Sequence, residues 1–255
     1  MEEITITVTI LCCTAFFIAG FVDAIAGGGG LITVPALLLC GVPPHTTLGT
    51  GKFASTLGSL TALWTFARNH LVEMRIAPAG FLAAVAGSMA GAALTLLIDS
   101  ALLGRILFFL LPVGLVLSLL SGRSFSEEAP LPERGLWLRV LLVGFLIGMY
   151  DGFFGPGAGS FYIIALHFFL RMGLVRASAT AKVFNMASNA GAFLMFATGG
   201  TVVYSLGVPL AVSSILGNQL GVRLAIRVGS RAVRAFLYVT LSLLLATLAY
   251  RFFLS

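Results

Sequence analysis

Four consecutive glycines, Gly27 to Gly30, follow a carboxylate, Asp23, inside an otherwise apolar stretch (GFVDAIAGGGGLITVPALLLCGVPPHTTLGTGK, Gly20 to Lys52). A helix broken by glycines beside a charge is costly within a bilayer. Backbone N–H and C=O groups there have no water to bond, unless the broken stretch lines a cavity or is buried in protein. Such a break therefore marks a candidate binding site. A short apolar segment follows it, Pro43 and Pro44 close that segment, and Lys52 opens the next long apolar run.

The pattern returns once. GMYDGFFGPGAGSFYIIAL places Asp151 at 128 residues after Asp23, with Gly155, Pro156, Gly157 and Gly159 replacing the glycine run. Thr180-Ala-Lys182-Val-Phe-Asn185 then answers Thr50-Gly-Lys52-Phe-Ala-Ser55 at an offset of 130. A small slip between two matched motifs is a change in loop length, so the chain reads as a duplicated unit.

Of the 255 residues, 59% are hydrophobic and only 9% are charged, and the mean hydropathy is +1.07. Globular domains carry about 25% charged residues, so the expected class is an all-α polytopic membrane protein. The opening Met-Glu-Glu is acidic where a secretory signal is basic, and residues 4 to 22 are read as a retained helix. The net charge of +6 resides in arginines between apolar runs, where it orients the chain and is not a nucleic-acid footprint. Cys12, Cys13 and Cys40 lie in apolar segments at no zinc or haem spacing and are read as packing residues. No metal and no cofactor is expected.

A spanning helix needs about 20 apolar residues. After the first broken segment the candidates are roughly 52–68, 76–98 and 103–121. A polar linker, residues 122–134 (GRSFSEEAPLPER), separates the halves, 1–121 and 135–255. The second broken segment covers about 136–172, split at Asp151 to Gly159, and 180–198, 201–223 and 231–253 follow. Arginine counting arbitrates the topology. If each broken segment doubles back as a hairpin, the Lys and Arg residues sort 12 to 3 between the two sides; if each crosses once, they sort 9 to 6. Cytoplasmic loops carry the Lys/Arg excess, which selects the hairpins and a cytoplasmic linker. A hairpin plus three single crossings changes side an odd number of times. The two repeats are then inverted, with both termini outside, a common transporter plan. The short arm Leu31 to Cys40, about 15 Å long as a helix, reads as re-entrant.

GFVDAIAGGGGLITVPALLL with its following TGK, and YDGFFGPGAGSF with ASATAKVFNMASN, resemble the sulfite exporter TauE/SafE family (TSUP) over nearly the whole chain and in the same order. The resemblance implies a multi-pass protein of the bacterial inner (plasma) membrane. It also implies transport, in the direction of export, of a small sulfur-containing or organic anion such as sulfite or a sulfonate.

The residues themselves indicate how an anion would be held. Gly27, Gly28, Gly29 and Gly30, and Gly155, Gly157 and Gly159, can present N–H groups at the positive start of the next half-helix. The alternative is that they serve close helix packing. Lys52 and Lys182 are the two lysines of the chain and hold matching positions, while every other basic residue is arginine. They are candidate anion ligands, against the alternative of lysines at helix ends reaching the headgroups. Asp23 and Asp151 are the carboxylates of the broken segments. They either carry protons and couple flux to a proton gradient, or cap a helix and pair with a lysine. Asn185 and Asn189, one turn apart, join Ser160, Thr50, Thr180 and Ser55 as candidate hydrogen-bonding ligands, against the alternative of interhelical bonds. His45, His70 and His167 receive no role.

Three classes of function remain in view. A carrier of a small anion by alternating access is the leading one, with the lipid bilayer as its surroundings, no nucleic-acid partner, and association into a homo-oligomer left open. A proton or metal-cation carrier using Asp23 and Asp151 is the second. An intramembrane enzyme is the third and has no nucleophile–base pair or HExxH motif near the breaks, so no catalytic residue is assigned.

Overall fold

The computed structural model describes residues 6–106 and 130–229. These form α1 (Ile6–Ala26), α2 (Gly30–Leu39), α3 (Pro44–Arg68), α4 (Ala77–Leu96), α5 (Leu136–Phe153), α6 (Ala158–Leu170), α7 (Leu174–Thr198) and α8 (Tyr204–Val228). Residues 100–106 begin a further helical stretch. The expected helix 231–253, most of 103–121 and all but the end of the linker lie outside the described residues. No strand occurs among the described residues, and the protein is an all-α polytopic membrane protein.

Both broken segments double back. Cys40, just beyond α2, has its sulfur 3.3 Å from that of Cys12 near the start of α1. At the other end of the pair, an atom added at Gly29 would touch Asp23 and Ala19. In the second half Arg139 Nη1 donates to Phe169 O at 2.9 Å, Tyr162 to Gly144 O at 3.3 Å and Tyr150 to Pro156 O at 2.6 Å, so α6 runs back along α5. The returning arms have 10 and 13 residues. At 1.5 Å per residue they reach about 15 and 20 Å, short of the roughly 30 Å hydrocarbon core.

The breaks fall later than the sequence suggested. α1 continues through Asp23 and stops at Gly27 and Gly28, whose φ values of +71° and +93° only glycine adopts readily. α5 likewise contains Asp151 and ends at Phe153. Each aspartate is thus held on the last turn of a rigid helix. A second boundary also moves. Pro44 opens α3 instead of closing the preceding segment, because a proline fits the first helical turn, where its missing N–H has no partner to lose. Lys52 therefore lies two turns inside α3, and α7 begins at Leu174, which puts Lys182 in the same place within α7.

Among the described residues, four helices, Val8–Ala26, Ala77–Leu96, Leu136–Phe153 and Tyr204–Val228, are long and apolar enough to cross a membrane. They turn side chains such as Ile10, Leu82, Leu138 and Leu216 outward. The two 25-residue helices that fall below this apolarity, α3 and α7, carry buried polar side chains: Thr47, Thr50, Lys52 and Ser59 on one, and Ser178, Thr180, Lys182, Asn185, Ser188 and Asn189 on the other. They pack on each other, with the four apolar helices and the returning arms around them.

The packing is equivalent under exchange of the halves. α4 lies along α5, and α8 along α1. Small residues fix both crossings: a Cβ at Gly87 or Gly91 would lie 2.1 or 2.0 Å from the carbonyl oxygens of Phe145 and Met149. At Gly217 or Gly221 it would lie 2.0 or 2.3 Å from those of Phe17 and Phe21. Gly87 and Gly91 precede Gly217 and Gly221 by 130 residues, and Phe17 and Phe21 precede Phe145 and Met149 by 128, the two offsets seen in the motifs. Without a hydrophobic drive between helices in lipid, such close backbone approach is a main source of helix association.

Candidate functional site

Termination of α1 frees carbonyls that must find partners in a dry interior. The second half supplies them. Ser160 Oγ donates to Ala26 O at 2.8 Å, Ser178 Oγ to Ile25 O at 3.1 Å, and Lys182 Nζ to Asp23 O at 2.7 Å. At the other break Thr95 of α4 donates to Phe153 O at 2.9 Å. The two breaks touch directly, since a Cβ on Gly27 would sit 2.2 Å from Gly159 C and Ser160 N, and one on Gly30 would sit 3.0 Å from Pro156 Cα.

The charges pair crosswise. Lys52 Nζ, from the first half, lies 2.6 Å from Asp151 Oδ1 in the second and 3.0 Å from Asn189 Oδ1. Lys182 Nζ, from the second half, lies 2.8 Å from Asp23 Oδ2 in the first. Lys52, Lys182 and Asp151 are 6%, 3% and 2% exposed. Lysines so deep in the bundle are not helix-end lysines reaching the headgroups. Asp151 Oδ2 accepts from the Ser188 hydroxyl, and Asp23 Oδ1 accepts from Gly29 N–H at 3.3 Å. Each aspartate pairs with a lysine of the opposite half, and Asp23 also accepts from the break backbone. A buried pair is held by geometry more than by net energy. Removal of one member leaves an uncompensated charge, at a cost of about 3–5 kcal/mol.

A cavity opens at this junction, with a volume of about 40 Å³. A water molecule needs about 10–15 Å³ on this measure, so the space suits a few waters or a small ion and not a nucleotide-sized ligand. Lys52, Ser55, Asn185, Asn189, Asp23 and Asp151 line it, together with Gly28, Gly29 and Gly30 at the start of α2 and Gly155, Gly157 and Gly159 around the start of α6. Both half-helices therefore direct their positive ends at it.

Lys182 and Gly27 face a smaller neighbouring space shared with Asp23, Gly159 and Asn185. Ser160 holds the Ala26 carbonyl. Thr50 and Thr180 stand away from the cavity: Thr50 Oγ1 accepts from Val203 N–H at 3.1 Å and Thr180 Oγ1 from Glu73 N–H at 3.0 Å. These two bonds are themselves equivalent at an offset of 130 and tie α3 to the start of α8 and α7 to the segment that leads into α4. Sequence reasoning missed Thr33, Thr47, Ser214 and Asn218 in the lining, and Ser188 on Asp151. Ser214 and Asn218 stand one turn apart on an apolar helix, a signal of the kind that drew attention to Asn185 and Asn189.

The comparisons with known proteins bear on this arrangement. A family profile described as "Sulfite exporter TauE/SafE" matches residues 12–248. A "Probable membrane transporter protein" of Haemophilus influenzae is 37% identical over 242 residues, which cover 94% of this chain and 94% of that protein. A "Probable membrane transporter protein ORF9" of Sinorhizobium sp is 34% identical over 240 residues, covering 94% and 91% of the two chains. The "Probable membrane transporter protein YfcA" of Escherichia coli K12 is 36% identical over 234 residues, covering 91% and 86%. No solved structure matches the chain. With its duplicated glycine breaks meeting at two crossed lysine–aspartate pairs, and with a family match spanning nearly its whole length, the chain belongs to the TauE/SafE family.

Proposed function

We propose that the protein is a membrane transporter of a small anion, an oxyanion of the sulfite or sulfonate class, which binds in the cavity where the two breaks meet. One observation carries the reading: Lys52 lines that cavity together with the N-terminal ends of both half-helices, α2 and α6. Three positive features converging on a buried space make an anion site. Asn185, Asn189 and Ser55 supply further hydrogen-bonding groups at the same space. The family description names a sulfite exporter, and the relatives' names support membrane transport. Alternating access follows from the inverted-repeat reading, with the halves moving about the junction and export as the direction. No step of this reading is catalytic.

A second reading has its own support. The cavity lining carries two carboxylates, Asp23 and Asp151, against one lysine, which suits a cation carrier. Uptake of labelled sulfite, sulfate, thiosulfate, sulfoacetate and simple carboxylates into vesicles separates the two, with wild type run beside the Lys52→Ala, Lys182→Ala double variant. The anion reading expects flux of at least one anion that vanishes in the double variant. Absence of flux for every anion, with the protein verified as folded, contradicts it and favours the cation.

A further inference from the structure

The charges at the site set a condition on what enters it. Asp23, Asp151 and Lys52 line the cavity, and Lys182 stands behind Asp23. The lining alone sums to one negative charge, and with Lys182 the group is neutral. An arriving anion finds the Lys52 ammonium already engaged by Asp151 and Asn189. To take the anion, Lys52 must give up the carboxylate. That leaves two negative groups together in a buried space, where like charges repel strongly. One proton removes the conflict.

The two aspartates differ in whether they can hold that proton. Among the described residues Asp23 meets only donors, the Lys182 ammonium on Oδ2 and the Gly29 N–H on Oδ1. Neither group can accept, so a proton on Asp23 would point at another N–H. Asp151 meets Lys52 on Oδ1 but a hydroxyl, Ser188, on Oδ2. A hydroxyl accepts as well as donates, and Ser188 Oγ also lies 3.0 Å from the carbonyl oxygen of Asn185. When Asp151 is protonated on Oδ2, its O–H donates to Ser188 Oγ and the serine proton turns to Asn185 O. The carboxyl proton on Oδ2 and the Ser188 hydroxyl thus each have an acceptor. Lys52 keeps its bond to Asn189 and turns to the anion.

We infer that Asp151 is a proton-binding site and that the protein is a proton–anion symporter, in which the anion replaces Asp151 on Lys52 as one proton binds Asp151. The inference rests on the anion-transport reading above, adds the coupling ion to it and replaces export as the direction: where the proton gradient points inward, symport drives the anion inward. The proton comes from water on the side of entry and leaves on the other, where release of the anion returns Asp151 to Lys52. A monoanion then crosses with no net charge. Among the described residues, the charged and titratable groups around Asp151 are Lys52 from α3, Asp23 from α1, Tyr162 from α6 and Tyr150 on its own helix, with Ser188 facing it from α7.

The test uses proteoliposomes holding a pH dye and given inward gradients of sulfate, thiosulfate, sulfoacetate or methanesulfonate, anions that carry no proton of their own at pH 7. The expected result is that entry of at least one anion acidifies the lumen and is driven by an inward proton gradient. Asp151→Asn should abolish both effects, and Asp151→Glu should retain them. Ser188→Ala, which removes the group that serves Asp151 in both protonation states, should slow gradient-driven flux about tenfold. Anion entry without acidification, or acidification that persists in Asp151→Asn, overturns the proton site and leaves anion transport standing. Should Asp151→Asn not fold, unchanged gradient-driven flux in Ser188→Ala overturns it equally. Entry of no anion at all into vesicles of well-folded protein overturns the anion-transport reading and the symport with it.

Discussion

Alanine at Gly27 tests the contact between the two breaks. Gly27 adopts φ +71°, and a Cβ there would lie 2.2 Å from both Gly159 C and Ser160 N. These are backbone atoms of the other half, and they cannot swing aside as the end of a side chain can. A left-handed non-glycine residue costs about 1–2 kcal/mol, and forcing an extra carbon into a packed site about 1–3 kcal/mol. The expected loss is about 2–5 kcal/mol. Two other glycines separate these contributions. Gly41 has φ +78° with nothing within 4 Å of an added Cβ, so alanine there carries only the backbone cost, about 1–2 kcal/mol. Gly51 is helical and also has nothing within 4 Å, so alanine there should stabilise by about 0.5–1 kcal/mol. Reversible denaturant unfolding of the four purified proteins in one detergent should rank them, from most to least stable, as Gly51→Ala, wild type, Gly41→Ala and Gly27→Ala. Equal losses at Gly27 and Gly41 would refute the reasoning, because they would mean that no backbone lies opposite Gly27.

Three further outcomes are expected. Leucine at Gly87 or at Gly217 should abolish folding to a similar degree, seen as loss of monodisperse protein on size exclusion, because each glycine meets a carbonyl of the neighbouring helix at about the same distance. Thr50→Val and Thr180→Val should each cost about 1 kcal/mol in denaturant unfolding, the value of one hydrogen bond, since each hydroxyl accepts from one backbone N–H of the other half. Lys52→Met should cost about 3–5 kcal/mol by leaving Asp151 buried and unpaired, while Lys52→Met with Asp151→Asn should recover most of that loss in a double-mutant cycle.

The glycine breaks and the hairpins were legible in the sequence because each leaves a mark on composition: glycines beside a carboxylate for the breaks, and a distribution of arginines that favours doubling back for the hairpins. The ends of the helices were not. Asp23 and Asp151 look like helix breakers in an apolar run, yet both stay helical because their side chains find partners across the junction, Lys182 and Gly29 for one, Lys52 and Ser188 for the other. Pro44 was read as an end and is a beginning, since one proline satisfies both patterns and only the following helix decides.

The site was legible residue by residue but not pair by pair. Matching lysines and aspartates stood out, but nothing in their order says that each lysine reaches the aspartate of the opposite half. That crossing comes from α3 and α7 packing together at the centre. For the same reason Thr50 and Thr180 could not be told from ligands: a buried hydroxyl near a lysine serves equally to hold a helix start, and these two do.

The account stands or falls on whether an anion occupies the cavity beside Lys52. Gly51 lines that cavity and has room for a side chain, so Gly51→Cys, made with Cys12, Cys13 and Cys40 replaced by alanine, reports on it directly. The rate of reaction of this cysteine with a membrane-impermeant maleimide is measured with and without saturating sulfate or sulfoacetate. The account predicts that an anion carried by the vesicles slows labelling in proportion to its occupancy, and that the protection is lost in Lys52→Ala. A labelling rate indifferent to every carried anion would contradict it.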